Sequence, residues 1–280
     1  MKRRKPSTFS QRFHDVVDFS VLTTSKPKKS LTVGKNSTAG RNSQGRLTSR
    51  HMGGGHKKQY RVMSFGQGKL NIPGKVKSIE YDPNRSCFIA LISYKDGDWA
   101  YVLAPEGLKI NETIVCSDSA PLKLGNRLQL KYVPAGQFVH NVEVRPLEGG
   151  KLARGAGNYL QVVSQEERYT DVKMPSGEVR KILNNCFASV GQLSNIEHKM
   201  MQLGKAGRSR WMGTRPEVRG KVMNAKDHPY GGGEGRNQRG TKRPKTKWGK
   251  VTGGHKTRKP KKYSNSLILS RRPSRKKNKK

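Results

Sequence analysis

Acidic residues are scarce in this sequence. Its 280 residues include 19 Asp and Glu against 58 Lys and Arg, which gives a formal net charge of +39. Carboxylates often serve as general acids and bases and as ligands of hard metal ions, so their scarcity makes a catalytic carboxylate pair an unexpected feature. A chain this cationic repels itself when compact, and its natural partner is a polyanion such as nucleic acid or an anionic membrane.

Long apolar segments are absent as well. Runs such as Phe88 to Ile92 are far shorter than the roughly 20 residues that a membrane-spanning helix needs. The basic segments lack the leucine and aromatic face of an interfacial helix, so we expect no membrane partner. No apolar region follows Met1-Lys2-Arg3-Arg4-Lys5, which argues against a secretory signal. An organellar presequence is matched only in part and stays an alternative.

Cysteine is rare, and catalytic motifs are missing. Cys87, Cys116 and Cys186 lie far apart among apolar neighbours, which predicts free buried thiols in a reducing compartment and no zinc site. The sequence has no phosphate-binding loop, no zinc-protease helix motif and no nucleophile elbow. His228 is the one candidate for proton transfer, but no sequence neighbour supplies a nucleophile or an oxyanion hole. We therefore predict no catalytic residue, no metal ligand and no cofactor.

The cations that are present lie mostly at the two ends of the chain. Residues 1–62 contain 15 Lys and Arg with 2 acids, and residues 236–280 contain 19 with none. Residues 63–200 contain 17 bases and 14 acids, so the middle of the chain is close to neutral. A neutral middle between two cationic ends predicts a folded body that carries two basic extensions.

Glycines interrupt these cationic ends. Leu203 to Arg236 combines eight glycines with spaced cations and has almost no apolar periodicity, so it cannot be a packed helix or strand over most of its length. Gly54-Gly55-His56-Lys57 recurs on the other extension as Gly253-Gly254-His255-Lys256. A solvated charged tail is the simpler interpretation, and extensions shaped by RNA are the one that we favour.

The middle of the chain predicts short strands. Period-two patterns indicate strands from Lys75 to Tyr81, Cys87 to Tyr94, Trp99 to Leu103 and Ile110 to Cys116, with a hairpin turn at Asp96-Gly97-Asp98. A second set is expected at Leu128–Tyr132, Phe138–Val144, Leu160–Ser164, Asp171–Met174 and Val179–Ile182, with a hairpin turn at Pro175-Ser176-Gly177-Glu178 between the last two. Ser194-Asn195-Ile196-Glu197 has the pattern of a capping box, opening a short helix that Gly204 would close. The expected core is all-β, as two small barrels.

Several motifs resemble one family. Arg50-His51-Met52-Gly53-Gly54-Gly55-His56-Lys57, Leu152-Ala153-Arg154-Gly155-Ala156-Gly157 and the run around Asp227-His228-Pro229 are similar to signatures of the bacterial-type large-subunit ribosomal protein two. The likeness covers roughly positions 35 to 260 in unbroken order. Tyr230, Arg243 and Lys247 depart from the usual family pattern, which leaves side-chain detail of that loop open.

The resemblance implies a fold and a domain order. It implies an OB-like barrel followed by an SH3-like barrel, with long non-globular basic extensions at both ends. The expected segments are a basic N-terminal extension at 1–62, the OB-like barrel at 63–125, the SH3-like barrel at 126–200 and a basic glycine-rich C-terminal extension at 201–280.

The resemblance also implies a function. It implies a structural constituent of the large ribosomal subunit that binds rRNA near the peptidyl-transferase centre, where His228 would lie, and that supports subunit assembly, subunit association and tRNA binding. Expected partners are large-subunit rRNA, small-subunit rRNA in the joined ribosome and neighbouring ribosomal proteins, with no stable homo-oligomer and with Mg²⁺ entering only through the rRNA. The expected location is the bacterial cytoplasmic ribosome, with an organellar ribosome as the alternative. A histone-like nucleic-acid packer of low specificity is the rival class.

The predicted RNA contacts are cations, histidines and aromatic residues of the extensions, together with two turn residues, Arg85 and Arg154, that are expected to protrude from the barrels. In the N-terminal extension they are Arg50, His51, His56, Lys57, Lys58 and Arg61. In the C-terminal extension they are Lys205, Arg208, Arg210, Trp211, Arg215, Arg219, His228, Tyr230, Arg236, Lys242, Trp248, Lys250, Lys256 and Arg258.

Overall fold

The computed structural model describes residues 2–3, 5–66, 68–235, 239–253 and 256–272. Within these residues the regular structure is mostly β-strand, with one short α-helix and several short 3₁₀ helices. Contacts divide the chain into two units. We call Met1–Asn36, Lys57–Ala206 and Ser266–Lys280 the barrel unit, and we call Ser37–His56 and Gly207–Asn265 the extension unit.

Short strands form near the N-terminus, where the sequence showed no hydrophobic period. β1 (Lys2–Arg3) pairs with β2 (Asp15–Val16), and β3 (Thr32–Lys35) pairs with β4 (Lys58–Arg61), both antiparallel. Directly after β2, Val17 packs into the core of the first barrel and is 9% exposed. An isolated apolar side chain in a polar segment gives no periodic pattern, so the sequence did not predict that Val17 packs into this core.

The first barrel is a four-stranded sheet with the order β7-β6-β5-β8. Its strands are β5 (Gly74–Glu80), β6 (Ile89–Tyr94), β7 (Trp99–Leu103) and β8 (Thr113–Ile114). The predicted turn between β6 and β7 is confirmed, with Gly97 at φ +89° and the Tyr94 amide donating to the Asp98 carbonyl. β8 is shorter than the predicted Ile110–Cys116. Val76, Ile92 and Val102 form the centre of the core.

The second barrel is a seven-stranded antiparallel sheet with the order β15-β13-β12-β11-β10-β14-β9. Its strands are β9 (Arg127–Gln129), β10 (Phe138–His140), β11 (Leu160–Gln165), β12 (Tyr169–Lys173), β13 (Val179–Leu183), β14 (Phe187–Val190) and β15 (Ile268–Ser270). The hairpin between β12 and β13 is confirmed, and its turn has Gly177 at φ +83°. β15 comes from the C-terminal extension and pairs with the outer edge of β13.

The predicted strand Leu128–Tyr132 is wrong after Gln129. Leu130–Tyr132 forms a 3₁₀ turn, in which the Val133 amide donates to the Leu130 carbonyl. Leu130 and Val133 are both fully buried. A spacing of three places two side chains on one side of a 3₁₀ turn, whereas a strand would point them to opposite faces.

An ion pair lies inside the second barrel. Arg127 Nη2 donates to Glu143 Oε1 over 2.8 Å, and both side chains are almost completely buried. Arg127 Nη1 donates to the Asn141 carbonyl, while Glu143 Oε2 accepts from the Leu147 and Phe187 amides. Burial lowers the pKa of Arg127, and the Glu143 carboxylate opposes that shift. The pair therefore links β9, β14 and the chain that follows β10.

The predicted capping box at Ser194 is wrong. Ser194 Oγ accepts a hydrogen bond from the Phe88 amide over 3.1 Å, so it joins the two barrels and caps no helix. Asn195 has φ +63°, and Ile196–Met200 is a 3₁₀ helix without a side-chain cap that ends before Gly204. The buried backbone amide of Phe88 in the first barrel needs a hydrogen-bond acceptor, and the Ser194 hydroxyl serves as that acceptor.

The three cysteines are free and buried, as predicted. Burial raises the pKa of Cys87 and Cys116 to about 11 and that of Cys186 to about 12. Among the described residues, no helix has the length and hydrophobicity to cross a membrane.

Candidate nucleic-acid interface

The extension unit combines one part of each basic extension. Ser37–His56 and Gly207–Asn265 together contain 21 Lys and Arg and only 3 acids. The Gly53 amide donates to the Gly213 carbonyl over 2.7 Å, and the His56 amide donates to the Trp211 carbonyl over 3.0 Å. We call this pairing the joint. The sequence predicted two separate segments without a fold of their own, and the joint is a finding that local patterns did not reveal.

Two glycines make the joint possible. A Cβ atom on Gly55 would lie 2.8 Å from the Gly213 nitrogen and 3.0 Å from the Trp211 carbonyl oxygen. Gly213 has φ +94°, a conformation that favours glycine. The glycines of this segment thus allow close approach of one backbone to another, and the adjoining α1 (Ala206–Trp211) ends at the joint.

Aromatic faces beside the joint are accessible. Trp211 is 50% exposed and its ring lies 6.0 Å from the ring of His56. Trp248 is 68% exposed, with the guanidinium of Arg50 5.8 Å from its ring centroid. Exposed indoles next to cations suit stacking on bases while the cations neutralise phosphates.

His228 lies in a compact loop. Its Nδ1 accepts a hydrogen bond from the Tyr230 amide over 3.1 Å. A Cβ on Gly220 would lie 2.6 Å from the imidazole, so the ring packs directly on that glycine. The Tyr230 hydroxyl accepts a hydrogen bond from the Lys245 amide, which ties the loop to the segment around Lys245.

The barrel unit places the two turn arginines differently. Arg85 is paired with the fully buried Asp82, and its side chain is only 13% exposed. It also donates to the Tyr60 hydroxyl over 3.1 Å. The expectation that Arg85 protrudes is wrong, because a buried carboxylate requires a cationic partner. Arg154 is exposed, and its guanidinium lies 4.4 Å from the ring centroid of Phe65, which holds it in place at the surface.

The amino-acid sequence matches two family models. Residues 28–116 match the model for ribosomal proteins L2, RNA binding N-terminal domain, and residues 123–249 match the model for ribosomal proteins L2, C-terminal domain. The chain belongs to the ribosomal protein L2 family. Together with the two sheets, this membership confirms an all-β core with an OB-like barrel followed by an SH3-like barrel. It also establishes a structural, RNA-binding role in the large ribosomal subunit, with rRNA and ribosomal proteins as partners.

Most of the predicted contact residues of the L2 chain are accessible. The exposed ones are Arg50, His56, Lys57, Arg154, Lys205, Trp211, Arg215, Arg219, Lys242, Trp248, Lys250 and Lys256. The half-buried ones are His51, Lys58, Arg85, Arg208, Arg210, His228, Tyr230 and Arg258. Arg61 is only 7% exposed and donates to the Gln59 carbonyl, so it offers little surface to a ligand. Arg236, Gly254 and His255 lie outside the described residues.

No metal site emerges from the part of the L2 chain that the structure describes. Within it, no three His, Cys, Asp or Glu side chains converge on a point where they could hold an ion. The arrangement offers cations, aromatic faces and backbone donors, which are the groups that bind polyanions.

Proposed function

We propose that this L2 chain is a primary rRNA-binding protein that stabilises rRNA near the peptidyl-transferase centre. In this role it supports assembly of the large subunit, its association with the small subunit through small-subunit rRNA, and tRNA binding. The observation that supports the proposal is the joint, which sets two glycine-rich cationic segments side by side with exposed indoles next to them.

The proposed mechanism is electrostatic and architectural. Lys and Arg neutralise phosphates and release counterions, which supplies affinity with a strong salt dependence. Stacking by Trp211 and Trp248 adds roughly 1–3 kcal/mol for each base by the usual effect of alanine substitution. The joint lowers the ordering cost on binding, because part of each extension already has a partner.

In this proposal His228 has a structural role. Its Nδ1 is engaged with the Tyr230 amide and its ring rests on Gly220, which suits a residue that shapes an RNA-contacting loop. The test uses His228→Ala and, as a matched variant, Gly220→Ala, which displaces the ring but keeps the imidazole. We expect both variants to weaken subunit assembly to a similar degree, with peptide-bond formation intact in the subunits that form. Correctly assembled His228→Ala subunits that form no peptide bond at saturating substrate would show a chemical role.

Binding specificity separates this proposal from a histone-like packer. The full chain should keep a specific site on large-subunit rRNA in the presence of excess bulk DNA, while its affinity falls steeply with salt. Arg154→Ala should weaken that site and reduce the salt slope by about 1. Arg145→Ala is the control, since Arg145 is an exposed arginine of the same barrel that pairs with Glu148. Loss of all rRNA binding to the DNA competitor would support the packer.

We further propose the bacterial cytoplasmic ribosome as the location, with an organellar ribosome as the alternative, and no stable homo-oligomer. Fractionation of cells that express a tagged chain would distinguish the two ribosomes.

A further inference from the structure

A groove on the surface of the barrel unit has an acidic lining, whereas the chain as a whole is strongly basic. It has a volume of about 660 Å³ and is lined by the N-terminal segment around Val17, by residues of the first barrel and by the turn at 194–197. This volume falls within the usual range of sites that enclose several side chains or a small ligand.

The floor of the groove is fixed by the contact between the barrels. The Glu106 amide donates to the Gln192 carbonyl over 2.8 Å, and the Ser194 amide donates to the Ala104 carbonyl over 3.1 Å. A Cβ on Gly157 would lie 2.9 Å from Ile196 Cα. The absence of a side chain at Gly157 therefore allows the turn at 194–197 to pack closely against it. The groove is therefore preformed, which reduces the ordering cost of an occupant.

The lining is apolar at the bottom and at the edge. Phe88 and Leu108 form part of the bottom and are 5% and 4% exposed. Val21 and Ile196 stand at the edge and are 57% and 40% exposed. Large apolar side chains that remain exposed around a concave surface are typical of an interaction site.

The charge of the groove is opposite to that of the chain. Of the described residues, those with charged side chains in its lining are Asp18, Glu106, Glu197 and Lys109, and Lys2 lies near Asp18 in an adjoining depression. The whole chain contains 58 Lys and Arg against 19 acids. This local excess of carboxylates repels RNA phosphates and attracts cationic side chains, so RNA is a poor occupant and a basic peptide is a good one.

We propose that this groove docks a Lys/Arg-rich segment of another protein of the ribosomal particle. An apolar side chain of that segment packs over Phe88, and its flanking cations face Asp18 and Glu106. The proposal rests on the proposed function, since neighbouring proteins of an RNA particle are cationic for the same reason as this chain.

Site-specific crosslinking in assembled large subunits tests the occupant. A photo-crosslinking amino acid replaces Val21 in one variant and Ile196 in another, and Leu147 serves as the control because it is 80% exposed on the second barrel. We expect both groove positions to crosslink to a Lys/Arg-rich segment of a different ribosomal protein, and the control position not to reach that segment. Crosslinks to rRNA, crosslinks to residues 273–280 of the same chain, or no crosslink in intact subunits would each overturn the proposal.

A peptide experiment on the free full-length chain separates the groove from the proposed function. The probe is a fluorescent Lys/Arg-rich peptide with a central Phe-Leu pair, and its binding is followed by anisotropy at low salt. Asp18→Lys combined with Glu106→Lys should weaken binding roughly tenfold, since two attractions become repulsions. Glu167→Lys, an exposed acid of the second barrel, is the control and should leave the affinity unchanged. Equal affinity of the wild type and the double variant would overturn the groove. Failure of the chain to enter large subunits would refute only the proposed function.

Discussion

The buried ion pair of the second barrel yields the sharpest prediction. Arg127→Met removes the guanidinium but keeps an apolar side chain of similar length. Glu143 then stays inside the barrel with its two amide donors, Leu147 and Phe187, but without a countercharge. The Asn141 carbonyl also loses its hydrogen bond from Arg127.

The expected cost is large. Removing one partner of a fully buried ion pair destabilises a protein by about 3–5 kcal/mol, because the remaining charge is uncompensated. A domain is usually stable by only about 5–15 kcal/mol, so the change removes a large part of the folding free energy. In the double variant Arg127→Met/Glu143→Leu no charge remains buried, and we expect most of that stability to return.

The assay must report on the second barrel alone. The three tryptophans, Trp99, Trp211 and Trp248, all lie outside it, so tryptophan fluorescence is insensitive to its opening. Hydrogen exchange measured by mass spectrometry over β14 and β9 reports directly on the strands that the pair connects. We expect Arg127→Met to accelerate exchange there and to leave the first barrel protected.

A surface ion pair provides the control. Lys151 and Glu148 are paired while 51% and 36% exposed, and Lys151→Met should leave exchange in β14 unchanged. Wild-type protection in Arg127→Met would refute the reasoning, as would a double variant less stable than the single one.

Three further predictions concern the barrels and the joint. Arg85→Ala should destabilise the first barrel by about 3 kcal/mol, because Asp82 is left buried without its cation; unchanged hydrogen exchange in β5 and β6 would contradict this. Burial lowers the pKa of His140 from 6.5 to about 4, so its contribution to stability is present above pH 6.5 and is lost as the pH falls towards 4. The free energy of unfolding, measured by denaturation at several pH values, should therefore fall less steeply with decreasing pH for His140→Gln than for the wild type. Equal slopes of the two pH profiles would exclude this effect. Gly55→Ala should lower specific rRNA affinity roughly tenfold, because the added methyl group opens the joint. Gly207→Ala is the control and should leave the affinity unchanged, since a Cβ at this position of α1 meets open space. Equal affinities of the two variants in filter binding would disprove a role for the joint.

The sequence predicted those elements whose signals are local. Trp99–Leu103 is a strand with the predicted bounds, and the predicted hairpins form, with Gly97 and Gly177 at positive φ in their turns. In each case a period-two pattern and a turn glycine lie within a few residues of each other, so no distant information is needed.

Elements that depend on distant partners were missed or misassigned. β15 forms only because the edge of β13, far away in sequence, offers free backbone groups. Ser194 was misassigned because its acceptor role is set by the Phe88 amide, 106 residues away. Arg85 was misassigned because nothing local shows that Asp82 is buried.

The same reason limits prediction of the interface. Cations and aromatic residues of the extensions were found from composition, and most of them are accessible. The joint between Gly53 and Gly213 was not found, since a run of glycines shows that close approach is possible but does not identify the partner.

Crosslinking of this chain to RNA in living cells, followed by sequencing of the attached RNA, tests the account most directly. We predict that crosslinked fragments, normalised to the abundance of each RNA, concentrate at a few discrete sites of large-subunit rRNA. Fragments spread over cellular RNAs in proportion to their abundance would contradict it.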